Sequence, residues 1–349
     1  MVFTRFKVIF SLSLLIAVGC VQPHTPATLK TPTAQSPRPM DVIKAGLSYQ
    51  DNPVVRAESV EALESVASPE VLPWVRSALL DEHPGVRFAG CMVLGKLKDA
   101  GAASMVRKCL VDKNDSVRVA AIYAMHRMGH AEQTDRLPNY VLLHPDPIVR
   151  RNAVIAISML GQQSAVTVLA RGMKDADPGV RHHALEGMAL LGNKEAAREL
   201  TFMANSGVGS EEVFAINALA GTGDPVYEDA FRYKLASGSH LETRLAAARA
   251  LGKLGMDAGL PVVLDALKPN QTVRPDPEDP PADQLLRIRQ LASAAAGAIG
   301  NPQANPLLEP FLHDGVDPRV QISAARALIE IAEKPRPLPS PFQAALGNR

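Results

Sequence analysis

Apolar residues recur along this chain with a step of 31 or 32 residues. Val66, Leu97, Met128, Leu160, Leu191, Thr222, Leu254, Ile299 and Ile331 stand in one column, and only the 45-residue step from Leu254 to Ile299 breaks the period. A fixed period of this length marks one supersecondary unit copied along the chain. Ten residues before that column comes a second, mostly basic one: Arg56, Arg87, Arg118, Arg150, Arg181, Glu212, Arg244, Arg289 and Gln321. Relative to it, the positions at −1, +3, +7 and +10 are apolar or small in nearly every unit. At 3.6 residues per turn these positions share one face of a helix. The +3 position is small throughout (Ser59, Gly90, Ala121, Ala153, Ala184, Ala215, Ala247, Ala292, Ala324), which lets neighbouring helices approach closely.

The ends of this helix are also written in the sequence. Pro53, Pro84, Pro147, Pro178 and Pro318 suit its first position, where a missing N–H costs nothing. Asn52, Asp146, Asp177, Asp317 and, in the third unit, Asn114 precede it as N-caps; His83 is the exception. Gly95, Gly129, Gly161, Gly192, Gly223, Gly255 and Gly300 fall near its far end and suit C-terminal caps. A shorter amphipathic helix precedes it, over segments such as 71–80, 102–111, 165–174, 195–204 and 225–235. The chain is therefore expected to be all-α: an α-solenoid of about nine helix pairs over residues 41–334.

The stretch Asp175-Ala-Asp-Pro-Gly-Val-Arg181 followed by His-His-Ala184-Leu-Glu-Gly-Met-Ala-Leu-Leu-Gly192 resembles HEAT repeats, particularly the short type of phycobilisome lyase-like proteins. The resemblance implies a right-handed solenoid in which turn aspartates and helix arginines form a ladder between units. It assigns to that ladder Asp81 and Arg87, Asp112 and Arg118, Asp175 and Arg181, and Asp283 and Arg289, each pair six residues apart. Glu212 and Gln321 depart from the pattern and put the ladder in doubt in units six and nine. These arginines are structural on this reading.

The resemblance further implies that the second helix of each pair lines the concave side of the array. There the positions pointing away from the core are polar in unit one (Glu61, Glu64), yet Phe88 and Met92, Val119 and Tyr123, and Ile155 occupy them in units two to four. With His126, Arg151 and His182 at their edge, these residues form a candidate surface for a protein or peptide partner. The competing reading is that superhelical packing or neighbouring helices cover them.

Arg5 and Lys7 precede an apolar run from Val8 to Val18, the layout of a secretory signal peptide and too short for a membrane span. The run ends in Ile16-Ala17-Val18-Gly19-Cys20, which resembles a bacterial lipobox, with Ala17 where leucine is usual. The resemblance implies that residues 1–19 are removed and that Cys20 carries lipid. Residues 20–40, rich in proline, read as an extended tether. Val21 after the cysteine implies, by likeness to enteric lipoproteins, the outer membrane over the inner one.

Composition changes this picture little. A net charge of +1 and an aromatic content of 4% give no reason to expect nucleic acid. Cys91 and Cys109 are either a disulfide, which an exported protein permits, or two buried thiols. There is no phosphate-binding glycine loop, nucleophile elbow or His-Glu-x-x-His motif, and no His-Glu dipeptide of the kind that holds iron in the hydroxylase of this family. His126 and His130 share a helix face but have no fixed third ligand, so no metal or other cofactor is assigned. The 45-residue step places a proline-rich insertion at 269–284, either a binding loop or a solvated one, and residues 335–349 read as an extended tail. The expected function is a non-catalytic, lipid-anchored binding scaffold of the cell envelope. A structural spacer or assembly factor is the alternative, and a lyase-like accessory module a more distant one.

Overall fold

A computed structural model of the chain describes residues 37–66, 68–273 and 279–334. The signal segment, Cys20, most of the tether, the centre of the insertion and the C-terminal tail lie outside the described residues. Within them the chain forms nine helix pairs. The first members are α1 (Pro39–Leu47), α3 (Leu72–Ser77), α5 (Ala103–Cys109), α7 (Leu137–Leu143), α9 (Val166–Gly172), α11 (Lys194–Met203), α13 (Glu228–Ser237), α15 (Leu260–Ala266) and α17 (Asn305–Leu308). The second members are α2 (Pro53–Ala62), α4 (Pro84–Leu97), α6 (Asp115–Arg127), α8 (Pro147–Leu160), α10 (Pro178–Leu190), α12 (Gly209–Gly221), α14 (Leu241–Lys253), α16 (Pro281–Ile299) and α18 (Pro318–Glu333).

The caps follow the sequence. Asn52, Asn114, Asp146, Asp177 and Asp317 each accept a backbone N–H of the helix they open, and His83 does the same through Nδ1. Glycine closes most of the second helices with positive φ, as at Gly161 and Gly300. Gly95 is different. It lies inside α4, Lys98 takes the left-handed cap instead, and a Cβ on Gly95 would stand 2.7 Å from Cε1 of Tyr123 and 2.9 Å from Cα of Ala124. Its role is to let α4 and α6 touch backbone to ring.

Each even-numbered helix packs on the next even-numbered helix, forming an inner layer that the shorter odd-numbered helices cover from outside. The small residue at +3 faces the outer helix of its own pair. A Cβ on Gly172 of α9 would lie 3.1 Å from Ala184 Cβ, and one on Gly90 would lie 3.1 Å from Ala78 Cβ. The inner layer does not stop at its ends. Helix α18 packs against α1 and α2, so the solenoid closes into a ring. Ser65 Oγ donates to Glu330 Oε1 at 2.7 Å across this seam, and the Ile322 side chain reaches within 3.0 Å of where a Cβ on Gly46 would lie. Lys334, just past α18, donates to Gly252 O (3.3 Å), Ile299 O (2.9 Å) and Ala298 O, satisfying carbonyls at the ends of α14 and α16.

The ladder exists, with a register other than the one expected. Arg56 grips Asp81 through Nε and Nη2 (2.8 and 2.9 Å), Arg87 grips Asp112 (2.7 and 2.8 Å), and Arg150 grips Asp175 (2.8 and 2.7 Å). Each arginine thus holds the turn of the following unit, 25 residues on. Toward the aspartate six residues before it, the arginine donates to the backbone carbonyl: Arg87 to Asp81 O, Arg118 to Asp112 O and Arg181 to Asp175 O. The carboxylate is already occupied by the preceding unit, and it also accepts an N–H of its own turn, as Asp112 does from Asn114. Asp283 and Arg289 form no such pair. Helix α16 begins at Pro281, so both lie within one helix and there is no turn carbonyl to receive the guanidinium. Arg289 instead lies over the Phe311 ring at 5.3 Å, with its Nε buried and unpartnered. In unit six Glu212 replaces arginine and accepts from Lys234 Nζ (2.8 Å) and Thr243 Oγ1 (2.9 Å).

Cys91 and Cys109 are free, buried thiols on facing helices. The hydrogen bond between them and burial raise the Cys91 thiol well above its ordinary range.

Burial is the largest influence on Asp112 and works against its ionised form, but the Arg87 hydrogen bonds, the Asn114 N–H and the nearby positive charge together more than offset it, so its carboxyl titrates below its ordinary value. The ladder's contribution is therefore full above about pH 4 and lost as acid passes the folded-state value. Removing one partner of a pair this buried, as in Asp112→Ala, is expected to cost about 3–5 kcal/mol. Urea unfolding at pH 7 checks the size, and its shrinkage in acid checks the sign.

Candidate interaction surfaces

The proposed concave stripe is interior. Phe88 is 3% exposed, Met92 3%, Val119 0%, Tyr123 1% and Ile155 6%. The adjacent inner helices cover them: a Cβ on Gly95 of α4 would lie 2.7 Å from Cε1 of Tyr123, so the inner helices approach too closely to leave a groove. Burial pushes the Tyr123 hydroxyl up to about 12. The edge residues are half-buried and engaged. His126 shares a hydrogen bond with Thr134 Oγ1 through Nδ1 (2.8 Å) and meets Gln162 through Nε2 (3.3 Å). His182 stacks on Phe214 at 5.3 Å, and His183 meets the same ring edge-on. Burial lowers the His182 pKa. The Arg151 side chain lies against Gly179 at the start of α10. His126 and His130 do not converge on a common ligand, and among the described residues no group of three or more His, Cys, Asp or Glu is arranged to hold a metal ion.

The two walls of the ring interior differ. Met92, Tyr123 and Ile155 form one side, while Glu186, Asn217, Arg249, Arg326 and Glu61 occupy the same helical offset elsewhere. Arg249 donates to Asn217 Oδ1 at 3.3 Å, and Arg326 pairs with Glu330 at 2.8 Å. Burial, with Arg326 nearby, lowers Arg249 to about 10; burial, with Arg249 nearby, lowers Lys253 to about 7. Charged side chains from non-adjacent helices thus come within electrostatic reach of one another around the axis.

Exposed apolar side chains that recur in register with the repeat lie on one rim instead. Leu80, Val111 and Leu143 are 78%, 83% and 75% exposed, and each immediately precedes the turn residue at the ladder position (Asp81, Asp112, His144). They occupy equivalent places in three consecutive units, about 10 Å apart at ordinary helix spacing. Ile148, at the start of α8, extends the stripe with 53% exposure. The signal is present in the sequence as large aliphatic residues one position before Asp81, Asp112 and His144, at the ends of the first helices.

HEAT-repeat family models match residues 40–126 and 134–213, and the phycobilisome-lyase HEAT-like repeat matches residues 243–269. Together they span more than half of the chain, which therefore belongs to the HEAT-repeat proteins, with the α-solenoid architecture that its helices display. A search of curated proteins returned no match. Among solved structures, the complex of CpcE and CpcF of phycocyanin lyase from Nostoc sp. PCC7120 is 17% identical, covering 77% of this chain and 100% of that one, with a TM-score of 0.44. Human deoxyhypusine hydroxylase in complex with glycerol is 18% identical, covering 84% and 96%, with a TM-score of 0.37. Kap121p bound to Nup53p is 14% identical, covering 78% and 34%, with a TM-score of 0.31.

Because Phe88 and Tyr123 are core, Phe88→Ala and Tyr123→Ala are each expected to lower stability by about 3–5 kcal/mol. Thermal or urea unfolding followed by circular dichroism checks this. A surface role would leave the midpoint in place.

Proposed function

We propose that this chain is a non-catalytic protein-binding scaffold, held at the bacterial cell envelope by lipid on Cys20, and that its rim stripe engages the partner. The observation that carries the reading is the repetition of large exposed aliphatic side chains, Leu80, Val111 and Leu143, at one position of three successive units. Isolated exposed leucines are ordinary, but a stripe in register with the repeat offers evenly spaced contacts to one extended protein segment. The HEAT-repeat architecture suits this role, since a stacked array presents long surfaces built from small repeated steps. The layout of Arg5, Lys7, the apolar run and Cys20 supports export and lipidation, and the proline-rich stretch that follows supplies a tether between membrane and ring.

The triple variant L80S/V111S/L143S is expected to lose partner crosslinks in intact cells while keeping its melting temperature, because exposed substitutions of this kind change stability by no more than about 0.5 kcal/mol each. Unchanged crosslinks would reject the stripe, and a wild-type ring with no specific crosslinks would favour a spacer.

Partition in Triton X-114 tests the anchor separately. The wild-type chain is expected in the detergent phase and Cys20→Ser in the aqueous phase.

A further inference from the structure

The seam that closes the ring is unlike the joints elsewhere in the inner layer. Three glutamates on one side of unit one, Glu58, Glu61 and Glu64, point toward it or toward the adjoining interior. The cations that face them are already committed. Lys96 of α4 pairs with Glu64 at 2.7 Å. Arg326 of α18 pairs with Glu330 at 2.8 Å. Arg319, also of α18, is bidentate on Asp317, with Nε at 3.0 Å and Nη2 at 2.8 Å. Glu58 is left with a long contact from Gln290 of α16 (3.5 Å), and its second carboxylate oxygen is buried with no partner. Glu61 makes no hydrogen bond or ion pair among the described residues, although Lys96 and Arg326 lie within electrostatic reach. Asp317 and Glu64 add like charge on either side.

Glu58, with one carboxylate oxygen buried and unpartnered, therefore sits at this joint beside the half-buried Glu61, and the cations near both are paired with other acids. An ionised carboxylate removed from water without a dedicated partner is costly, and a proton removes the cost. The seam is also the one joint of the inner layer whose helices do not come from consecutive units of the chain. We propose that the seam between α2 and α18 is a proton-dependent clasp, in which neutral Glu58 and Glu61 hold the ring closed and their ionisation loosens it.

The direction follows from linkage. Burial is the largest cause of the upward shift in both groups, to about 7 in each, with Arg319 opposing it at Glu58 and Lys96 and Arg326 opposing it at Glu61. Opening the seam returns these acids toward their ordinary value, near 4.5. The closed ring thus binds more protons than the open one between these limits. The clasp is strongest below about pH 4.5, weakens as pH rises, and is released once pH passes about 7.

Hydrogen exchange of the full chain at pH 5.5 and pH 8, corrected for intrinsic rates, tests this. Amides of α1 and α18 are expected to lose about tenfold or more of their protection at the higher pH relative to those of α6 and α8, in the middle of the array. In E58Q/E61Q, whose side chains are neutral at both pH values, that difference is expected to vanish, with seam protection staying at the acidic wild-type level. Either single variant serves if the double one fails to fold, and each is expected to reduce the wild-type difference. The proposal is overturned if wild-type seam amides follow α6 and α8 at both pH values. It is equally overturned if the glutamine variants keep the wild-type pH dependence.

Discussion

Nine helices closed around one axis leave each of them a neighbour on both flanks, and this constraint governs most of what the residues do. Where inner helices touch, bulk is excluded. A Cβ on Gly252 would lie 2.7 Å from the backbone nitrogen of Ile299, so α14 and α16 meet backbone to backbone. The small column at +3 meets the same demand between inner and outer helices, as with Ala184 under Gly172. Protein interiors are close-packed, so such positions tolerate little growth. The aspartate ladder then fixes how far one unit is displaced from the next. A bidentate guanidinium–carboxylate pair has a preferred geometry as well as an attraction. It ties the turn at Asp112 at once to Arg87 of the previous unit and to the backbone at Asn114.

The repeat, its phase, the N-caps and the all-α class were legible because each rests on local chemistry. Pro84 and Asp146 mark helix starts whatever the rest of the chain does, and the offset of Ala121 from Arg118 places it on a buried face. Closure was not legible. It depends on the small rotation between successive units, accumulated over the whole array, and no single residue encodes that sum. Tyr123 and Phe88 read as a possible open concave face for a more local reason. Their offsets placed them correctly on the inner layer, while the close approach of the neighbouring inner helix, as at Gly95 against Tyr123, was invisible. The ladder shows a milder failure of the same kind. A spacing of six residues brought Asp81 and Arg87 together correctly, but which atoms meet was decided by the preceding unit, whose Arg56 occupies the Asp81 carboxylate.

Ladder, interior charges and rim divide the polar residues by position. At the turns of Asp81, Asp112 and Asp175 a guanidinium meets a carboxylate. In the interior the matching is incomplete: Arg249 has a neutral amide as its hydrogen-bond partner and Glu58 retains an oxygen without one. Ion pairs in such places contribute less to stability than their distances suggest, because desolvation consumes much of the attraction. Apolar exposure in register with the repeat lies on the outside edge, where Leu80 and Val111 stand beside turns that the ladder holds and Leu143 continues the line. A rigid edge with evenly spaced side chains loses little freedom on contact with another molecule.

The closed ring also has an evolutionary implication. Open solenoids lengthen and shorten by duplication or loss of a unit, since an added repeat merely moves the end, and they need specialised terminal repeats to cover what the end exposes. Here α18 covers α1 and α2. An extra pair, or one fewer, would leave the last helix out of register with the first, so the repeat number is fixed by geometry. Variation has to enter elsewhere, and the added segment between α15 and α16 shows where: it lengthens one connection and leaves the number of units around the axis at nine.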